Sequence, residues 1–223
     1  YAHTVAHDLK HPLTSLLGMS RLLNASYLDL SAEQKQAALT TIETTSRKMN
    51  DIINALLLLA STREQQHIPL QQLDMRLILT HAQERLTDFI HQYHARIELS
   101  ANWPVAVGYP LWIEEVWVNY LSNAIKYGGR PPAIRLGADV CADGQICFWV
   151  EDNGEALSPQ QQNSLFTTFQ RFSPQSADGH GLGLSIVKRI IERLDGAVGY
   201  KVANNGGSIF WFSLPQASVG SAD

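Results

Sequence analysis

Cysteine is scarce in this chain. Only Cys141 and Cys147 occur among its 223 residues. Two thiols are too few for a disulfide framework, and no second pair is present to complete a structural zinc site. A reducing compartment therefore fits this composition best.

Long apolar runs and an excess of basic charge are also missing. The densest apolar run, Leu56 to Ala60, is far shorter than the ~20 residues needed to cross a bilayer. The formal net charge is -4, whereas nucleic-acid-binding domains concentrate Lys and Arg on one face. We expect no nucleic-acid partner. The chain begins at Tyr1 with no initiator Met and no signal peptide, so we expect an upstream part that is missing from it.

What the first 65 residues do contain is helical periodicity. Apolar residues at helical spacing predict a first helix from Ala2 to about Asn24, with Pro12 as a kink. Ser31 followed by Gln34 resembles a capping box and predicts a second helix that runs to about Thr62. Because two helices cannot bury their apolar seams on every side, we expect a homodimeric four-helix bundle. The seam of the second helix consists of Leu39, Ile42, Ser46, Met49, Ile53, Leu56 and Ala60.

The polar segment from Arg63 to Pro69 predicts a boundary between two domains, residues 1–65 and 66–223. Beyond it, helical and alternating patterns are mixed, which predicts an α/β sandwich with helices over a largely antiparallel sheet. The fold class is thus α+β. The predicted elements are helices at 75–91, 111–127 and 182–194 and strands at 96–100, 133–140, 145–151, 197–202 and 208–214.

One predicted helix of the second domain carries a polar stripe. At about 100° per residue, Glu115, Asn119, Asn123 and Lys126 share one face. The opposite face is apolar, so the helix can be buried while it presents a carboxylate, two amides and an ammonium to a cavity. A merely solvated face is the alternative, although asparagine is a poor helix former.

Two turn motifs follow further along the chain. Asp152-Asn153-Gly154 comes directly after an apolar strand, where a buried aspartate could accept a hydrogen bond from an adenine amino group. Taken alone, such a sequence is more often an ordinary turn. The glycines of the segment 179–184 open a helix and let backbone N–H groups approach phosphate oxygens. No βαβ unit follows, so this is not a Rossmann fingerprint.

The order of these motifs resembles the N, G1, F and G2 boxes of the histidine-kinase ATP-binding domain. The resemblance implies that ATP and Mg²⁺ bind here, with Asn123 as the metal ligand and Asp152 reading the adenine. It also implies that Asn119 and Lys126 face the phosphates and that the stretch 155–179 is a mobile lid. The F box reads Phe166-Thr-Thr-Phe169-Gln-Arg171-Phe172. The nucleotide-binding residues implied are Asn119, Asn123, Lys126, Tyr127, Asp152, Gly154, Arg171, Gly181, Leu182 and Gly183.

The first helix carries His7-Asp8-Leu9-Lys10-His11-Pro12-Leu13, which is similar to the H box of the same family. The resemblance implies that His7 is the phosphoacceptor and that Asp8 holds its other ring N–H. A fortuitous metal chelator is the alternative, because His3, His7 and His11 share one helix face.

The resemblance as a whole implies the catalytic core of a sensor histidine kinase. Such a core would autophosphorylate His7 with ATP and pass the phosphoryl group to an aspartate of a response-regulator receiver domain. It would work in the cytoplasm, whether or not the full-length protein is attached to a membrane, and its sensor domain would lie upstream.

Three positions depart from the family pattern. Ala156 replaces the second glycine of the G1 box, and Gly128-Gly129 stand where a small hydroxyl residue is common, which predicts a looser loop. His11 occupies the position where members with phosphatase activity carry Thr or Asn. Two alternatives stay open: an ATPase of the same nucleotide fold with Glu115 as hydrolytic base, and a degenerate kinase that acts as a scaffold. We expect His91 and His94 to be solvent-facing residues at a helix end.

Overall fold

The computed structural model describes residues 2–46, 49, 68–166 and 183–217, with side chains from Pro12 onward. The chain divides into two compact units. The first is a helical hairpin in which α1 spans Ala2–Ser26 and α2 is described over residues 32–46. Pro12 lies inside α1 without ending it. The remainder of the predicted second helix, with Ile53, Leu56 and Ala60 of its seam, lies outside the described residues.

The start of α2 has the capping box that the sequence predicts. The backbone N–H of Ser31 donates to Gln34 Oε1 at 2.9 Å, and the backbone N–H of Gln34 donates to Ser31 Oγ at 3.2 Å. These bonds satisfy two donors that would otherwise have no partner in the first turn. The hairpin leaves large apolar side chains uncovered, including Leu13, Leu17 and Leu39, which are 45%, 49% and 53% exposed. Within the described residues, no helix combines the length and apolar character required to cross a membrane.

The second unit is built on a five-stranded sheet. Its strand order is β2 (Arg96–Leu99), β4 (Ala133–Val140), β5 (Ile146–Asp152), β7 (Ser208–Leu214) and β6 (Val198–Val202). Only the β2–β4 pair is parallel, which confirms a largely antiparallel sheet. A separate two-stranded ribbon joins β1 (Gln71–Gln72) to β3 (Val107–Gly108). The helices are α3 (Met75–Arg85), α4 (Thr87–Tyr93), α5 (Pro110–Tyr127), α6 (Pro159–Asn163) and α7 (Gly183–Arg193).

The core lies between the sheet and its helices. Strand β5 alternates buried and half-buried residues along its whole length, as a strand with one covered face does. Its Phe148 stacks on Phe212 of β7, and Trp117 of α5 meets both rings edge-on. Tyr120, fully buried beside Phe212, donates its hydroxyl hydrogen to the Trp211 carbonyl at 3.1 Å. This aromatic cluster holds α5 against the middle of the sheet and thereby fixes the polar stripe of that helix.

The helix predicted over 75–91 is wrong in one respect, because two helices occupy this region. The break falls at Leu86, whose φ and ψ are -106° and 9°. Next to it, the Thr87 hydroxyl donates to the carbonyls of Gln83 and Glu84 at 3.3 and 2.8 Å. Such side-chain bonds to the backbone compete with continuation of the helix. The short strands β1 and β3 and the one-turn helix α6 were not predicted either.

The two cysteines lie at the turn between β4 and β5, and the structure pairs them as a disulfide with Cα atoms 5.8 Å apart. Strand register brings them together, since Val140 lies opposite Ile146 and the N–H of Cys141 donates to the Gln145 carbonyl. This pairing differs from the expectation of a reducing compartment, in which the two thiols would stay reduced. Two cysteines cannot form a framework, but they can close a single hairpin.

Helix α3 offers a test of the fold that does not involve the polar stripe. Asp74 is its N-cap and accepts a hydrogen bond from the Leu77 N–H at 3.1 Å. We expect Asp74→Ala to lower the free energy of unfolding by about 1 kcal/mol, measured by urea denaturation. Asp74→Asn retains an acceptor and is expected to stay close to the wild-type value. Equal stability of the alanine variant and the wild type would contradict the capping role.

Candidate functional site

Helix α5 is the platform of the candidate site. Trp117, Tyr120 and their neighbours bury one side of the helix, and Asn119, Asn123 and Lys126 are half-buried on another. The predicted stripe is thus confirmed as a distinct face. A half-buried amide is costly to desolvate unless it has a partner, so such side chains on a largely buried helix are typical of a binding site.

Asn119 and Gly183 bring two of the sequence motifs into contact. The Asn119 side-chain N–H donates to the Glu115 carbonyl at 2.8 Å. Its Oδ1 lies against Gly183, the first residue of α7, so closely that a Cβ atom on Gly183 would overlap it. Only glycine allows the start of α7 to approach α5 in this way. The start of α7 therefore lies beside the polar stripe, and the backbone N–H groups of a helix start favour an anion.

Asp152 closes the other end of the site. It is the last residue of β5 and is only 4% exposed. Its Oδ1 accepts a hydrogen bond from the Gly154 N–H at 2.8 Å. Gly154 in turn packs against the Tyr127 carbonyl, where a Cβ atom would overlap. The end of helix α5 and the turn at Asp152–Gly154 are therefore in direct contact. Both lie in the second unit.

The environment of Asp152 disfavours its charged form. Burial raises the pKa of its carboxyl above the ordinary aspartate value, and the charge of Glu151 acts in the same direction. The backbone N–H groups of Gly154 and Ser208 act in the opposite direction, because they hydrogen-bond to the carboxylate. A buried carboxyl with a raised pKa is typical of a functional site.

Other predicted residues are placed differently or not described. Tyr127 ends α5 and is 51% exposed. The Lys126 ammonium lies 5.5 Å from the centroid of the Phe89 ring on α4. His7 and Asp8 lie on α1, and their side chains are not among those described. Arg171, Gly181 and Leu182 lie outside the described residues. His91 and His94 are exposed at the end of α4, as predicted.

Sequence reasoning missed three residues around the site. Arg85 of α3 donates through Nη1 to Glu115 Oε1 at 2.7 Å and to Glu114 Oε1 at 2.9 Å. Gly207 packs on the Asp152 carbonyl, which a Cβ atom would overlap. Asn153 binds the loop that follows α5. A glycine pair at 206–207 was a visible signal for a close approach, but no sequence pattern links Arg85 or Asn153 to partners so distant along the chain.

The described residues include no cluster of three or more His, Cys, Asp or Glu side chains that could hold a metal ion. The polar stripe offers amide oxygens instead. Mg²⁺ is commonly bound through one or two protein oxygens together with substrate phosphates and water, so this donor set fits a metal that arrives with a nucleotide.

The comparisons with known proteins agree with this geometry. Residues 1–65 match the His Kinase A (phospho-acceptor) domain, and residues 108–218 match the Histidine kinase-, DNA gyrase B-, and HSP90-like ATPase family. The methanogenesis regulatory histidine kinase FilI of Methanothrix harundinacea is 29% identical over 217 residues, which cover 96% of this chain and 24% of that protein.

Two solved structures are also similar. Full-length ShkA in complex with AMPPNP has a TM-score of 0.68 at 27% identity, covering 96% of this chain and 45% of that one. The complex of the histidine kinase ThkA with the response regulator protein TrrA has a TM-score of 0.74 at 16% identity, covering 97% and 61%. At 16% identity, the similarity to the ThkA complex shows a shared fold and nothing more.

The two domain matches together define the class of protein as a phosphoacceptor helical domain followed by an ATPase-type domain. The chain belongs to the sensor histidine kinase family and corresponds to its catalytic core. It spans less than half the length of the curated relatives it matches, 24%, 29% and 44% for three of them.

Proposed function

We propose that this chain phosphorylates itself on His7 from ATP and then transfers the phosphoryl group to an aspartate of a response-regulator receiver domain. The observation that carries the proposal is the packing of three sequence motifs around one site. Gly183 lies against Asn119, and Gly154 lies against the end of α5 beside the buried Asp152. In this proposal, residues 1–65 form the domain that carries His7, and residues 66–223 form the domain that binds ATP.

Each group in the site has a role in binding ATP. The Asp152 carboxylate accepts a hydrogen bond from the adenine amino group, and Tyr127 lines the adenine pocket. Asn119, Gly181, Leu182 and Gly183 surround the phosphates, where backbone N–H groups at the start of α7 stabilise negative charge. Lys126 and Arg171 supply positive charge to the same phosphates. Mg²⁺, held by Asn123 and phosphate oxygens, would neutralise charge on the transferred group.

His7 is the nucleophile of the proposed reaction. The lone pair of one neutral ring nitrogen attacks the γ-phosphorus in line, the bond to the bridging oxygen breaks, and ADP leaves with that electron pair. Asp8 hydrogen-bonds to the other ring N–H and so fixes the tautomer and stabilises the positive charge that develops. A carboxylate of the receiver domain then takes the phosphoryl group and restores the neutral imidazole.

The helical hairpin supports a homodimer as the working form. Leu13, Leu17 and Leu39 are about half exposed in the single chain, and a second hairpin would bury them in a four-helix bundle. A receiver domain as partner is supported by the phosphoacceptor match and by the ThkA complex with a response regulator. The dependence on ATP supports a cytoplasmic location for this core, downstream of a sensor domain.

An ATPase that hydrolyses ATP with Glu115 as base is the competing function. In the structure the Glu115 carboxylate receives a hydrogen bond from Arg85 at 2.7 Å. That bond occupies an oxygen of the carboxylate that a hydrolytic base would use to orient its water molecule. The contact therefore favours the kinase, in which Glu115 has no proton to remove.

Labelling of the wild-type chain tests the proposal. With Mg²⁺, we expect stable incorporation of label from γ-labelled ATP and none from α-labelled ATP. The label should resist alkali and be released by acid, as a phosphoramidate is. Bound nucleotide with no incorporation at any protein concentration would contradict the kinase and favour the scaffold alternative. Continuous phosphate release without protein labelling would favour the ATPase.

The pH dependence of nucleotide binding tests the role of Asp152. Because burial raises its pKa, the folded chain holds a proton on Asp152 at pH values where the unfolded chain has released it. The protonated Asp152 therefore stabilises the folded chain below the ordinary aspartate pKa of about 3.9. This stabilisation is lost as the pH rises through the raised pKa of the folded chain. ADP binding needs the ionised carboxylate, so affinity should rise over the same interval by up to about tenfold per pH unit.

Calorimetric titration with ADP from about pH 4 upward measures this dependence. The matched control is Asp152→Asn, which cannot ionise and is expected to bind ADP weakly with little change over that interval. A wild-type affinity as independent of pH as that of the variant would contradict the role of Asp152.

A further inference from the structure

The 128–133 loop, defined here as the connection from α5 to β4 together with the first residue of β4, is bound by the side chain of Asn153, which directly follows β5. Asn153 Oδ1 accepts hydrogen bonds from the N–H groups of Gly129 at 2.9 Å and Ala133 at 2.8 Å. Asn153 Nδ2 donates to the Pro131 carbonyl at 3.2 Å. One amide thus makes three hydrogen bonds to the backbone of one loop, at three points along it.

The glycine pair at the start of this loop is fitted to that amide. A Cβ atom on Gly129 would lie 2.6 Å from Asn153 Nδ2, and one on Gly128 would overlap the Ala124 carbonyl. Any side chain at these positions would displace the loop or the amide. The predicted loosening of the chain at Gly128-Gly129 is therefore wrong, because the two glycines allow the loop to reach Asn153 and be bound by it.

This contact joins the two segments that line the proposed adenine site, namely the end of α5 with Tyr127 and the end of β5 with Asp152. Tyr127 directly precedes the loop, and Asp152 and Gly154 flank Asn153 in the sequence. Gly154 already packs on the Tyr127 carbonyl, but a van der Waals contact limits only how closely the two segments approach. The three hydrogen bonds of Asn153 add direction, so they fix the orientation of the end of α5 relative to the end of β5.

We propose that Asn153 is a positioning residue for adenine recognition, because its amide fixes the 128–133 loop, and with it Tyr127, against the strand end that carries Asp152. The inference rests on the proposed function, in which the Asp152 carboxylate accepts a hydrogen bond from the adenine amino group. If Asn153 acts in this way, its loss should weaken the distinction between an amino group and a carbonyl oxygen at that position of the base.

Binding of ADP and inosine diphosphate to the full chain, measured by calorimetry, tests the inference. The inosine base carries an oxygen where adenine carries the amino group, and that oxygen would face the Asp152 carboxylate. We expect the wild type to prefer ADP by roughly tenfold or more. In Asn153→Ala the preference should fall below about threefold, because Asn153 no longer fixes the position of Tyr127 relative to the Asp152 carboxylate. Asn153→Asp retains the oxygen acceptor and should recover most of the wild-type ratio.

A purely structural role would lower stability without changing the ratio. Asp74→Ala is the matched control, since it removes a helix cap in α3 and should keep the wild-type preference despite lower stability. An Asn153→Ala variant with the wild-type ratio would overturn the inference. If that variant does not fold, Gly129→Ala disturbs the same contact from the loop side, and a wild-type ratio there would equally overturn it. A wild type that binds neither nucleotide, or both equally, would contradict the proposed function itself.

Discussion

Replacing His7 with glutamine is expected to abolish acid-labile labelling of the chain by γ-labelled ATP. Glutamine can form hydrogen bonds at the same position, but its amide nitrogen has no available lone pair with which to attack phosphorus. We expect incorporation to fall by about 1000-fold or more, as for loss of other enzymatic nucleophiles. The measurement is phosphate incorporated per chain as a function of time. Affinity for ADP should be unchanged, because the proposed nucleotide-binding residues that the structure describes belong to the second unit.

The neighbouring histidines provide matched controls for this experiment. His3 and His11 stand four residues before and after His7 within α1. His3→Gln and His11→Gln should both label at close to the wild-type rate. Labelling that survives in His7→Gln and disappears in His11→Gln would move the acceptor by one helical turn and refute the match to the H box.

Much of the fold could be predicted because the sequence pattern and the burial pattern agree. Strand β5 shows this most clearly, since its apolar run from Ile146 to Val150 is typical of a strand and every second residue of β5 is buried against the core. The break at Leu86 could not be predicted in the same way. The break is accompanied by hydrogen bonds from the Thr87 hydroxyl to the carbonyls of Gln83 and Glu84. A threonine hydroxyl can bond to several backbone groups near it, so its presence in a sequence does not predict where a helix ends.

The disulfide shows a different limit of sequence reasoning. Cys141 and Cys147 are six residues apart, and composition alone indicated only that two cysteines are too few for a disulfide framework. Their approach depends on the register of the β4–β5 hairpin, in which Val140 lies opposite Ile146. Register is decided by turn geometry and by which face of the sheet is covered, and neither is visible in the number of cysteines.

The sequence predicted the acidic and glycine residues of the candidate site. It did not predict the hydrogen bonds that neighbouring residues make around them. Asp152 and Gly183 stand in motifs whose spacing is itself informative. Asn153 stands in the same motif, but its partners are 20 to 24 residues away in sequence, and only the fold brings them together. The same holds for Arg85, which lies 30 residues before Glu115. Contacts of this kind depend on tertiary packing rather than on local pattern.

Gly183→Ala is expected to weaken nucleotide binding strongly while leaving the fold intact. The added methyl group would overlap Asn119 Oδ1, so either the start of α7 or the Asn119 side chain must move. Either movement separates the helix start from the polar stripe, and the loss of hydrogen bonds to a charged phosphate costs about 1–3 kcal/mol of binding free energy. We expect the dissociation constant for ADP to rise by about 5- to 150-fold. Thermal stability without nucleotide should change little, because alanine is the better helix former.

Gly18→Ala is the matched control for the same substitution in a helix. Apart from the backbone of its own helix, no atom of the described residues lies within 4 Å of a Cβ at Gly18, so the change should leave ADP affinity at the wild-type value. Comparison of the two variants separates the general effect of replacing a helical glycine from the specific overlap with Asn119. If Gly183→Ala binds ADP as tightly as Gly18→Ala, the approach of α7 to Asn119 is not needed for binding. The phosphates would then have to contact the chain without this part of the site.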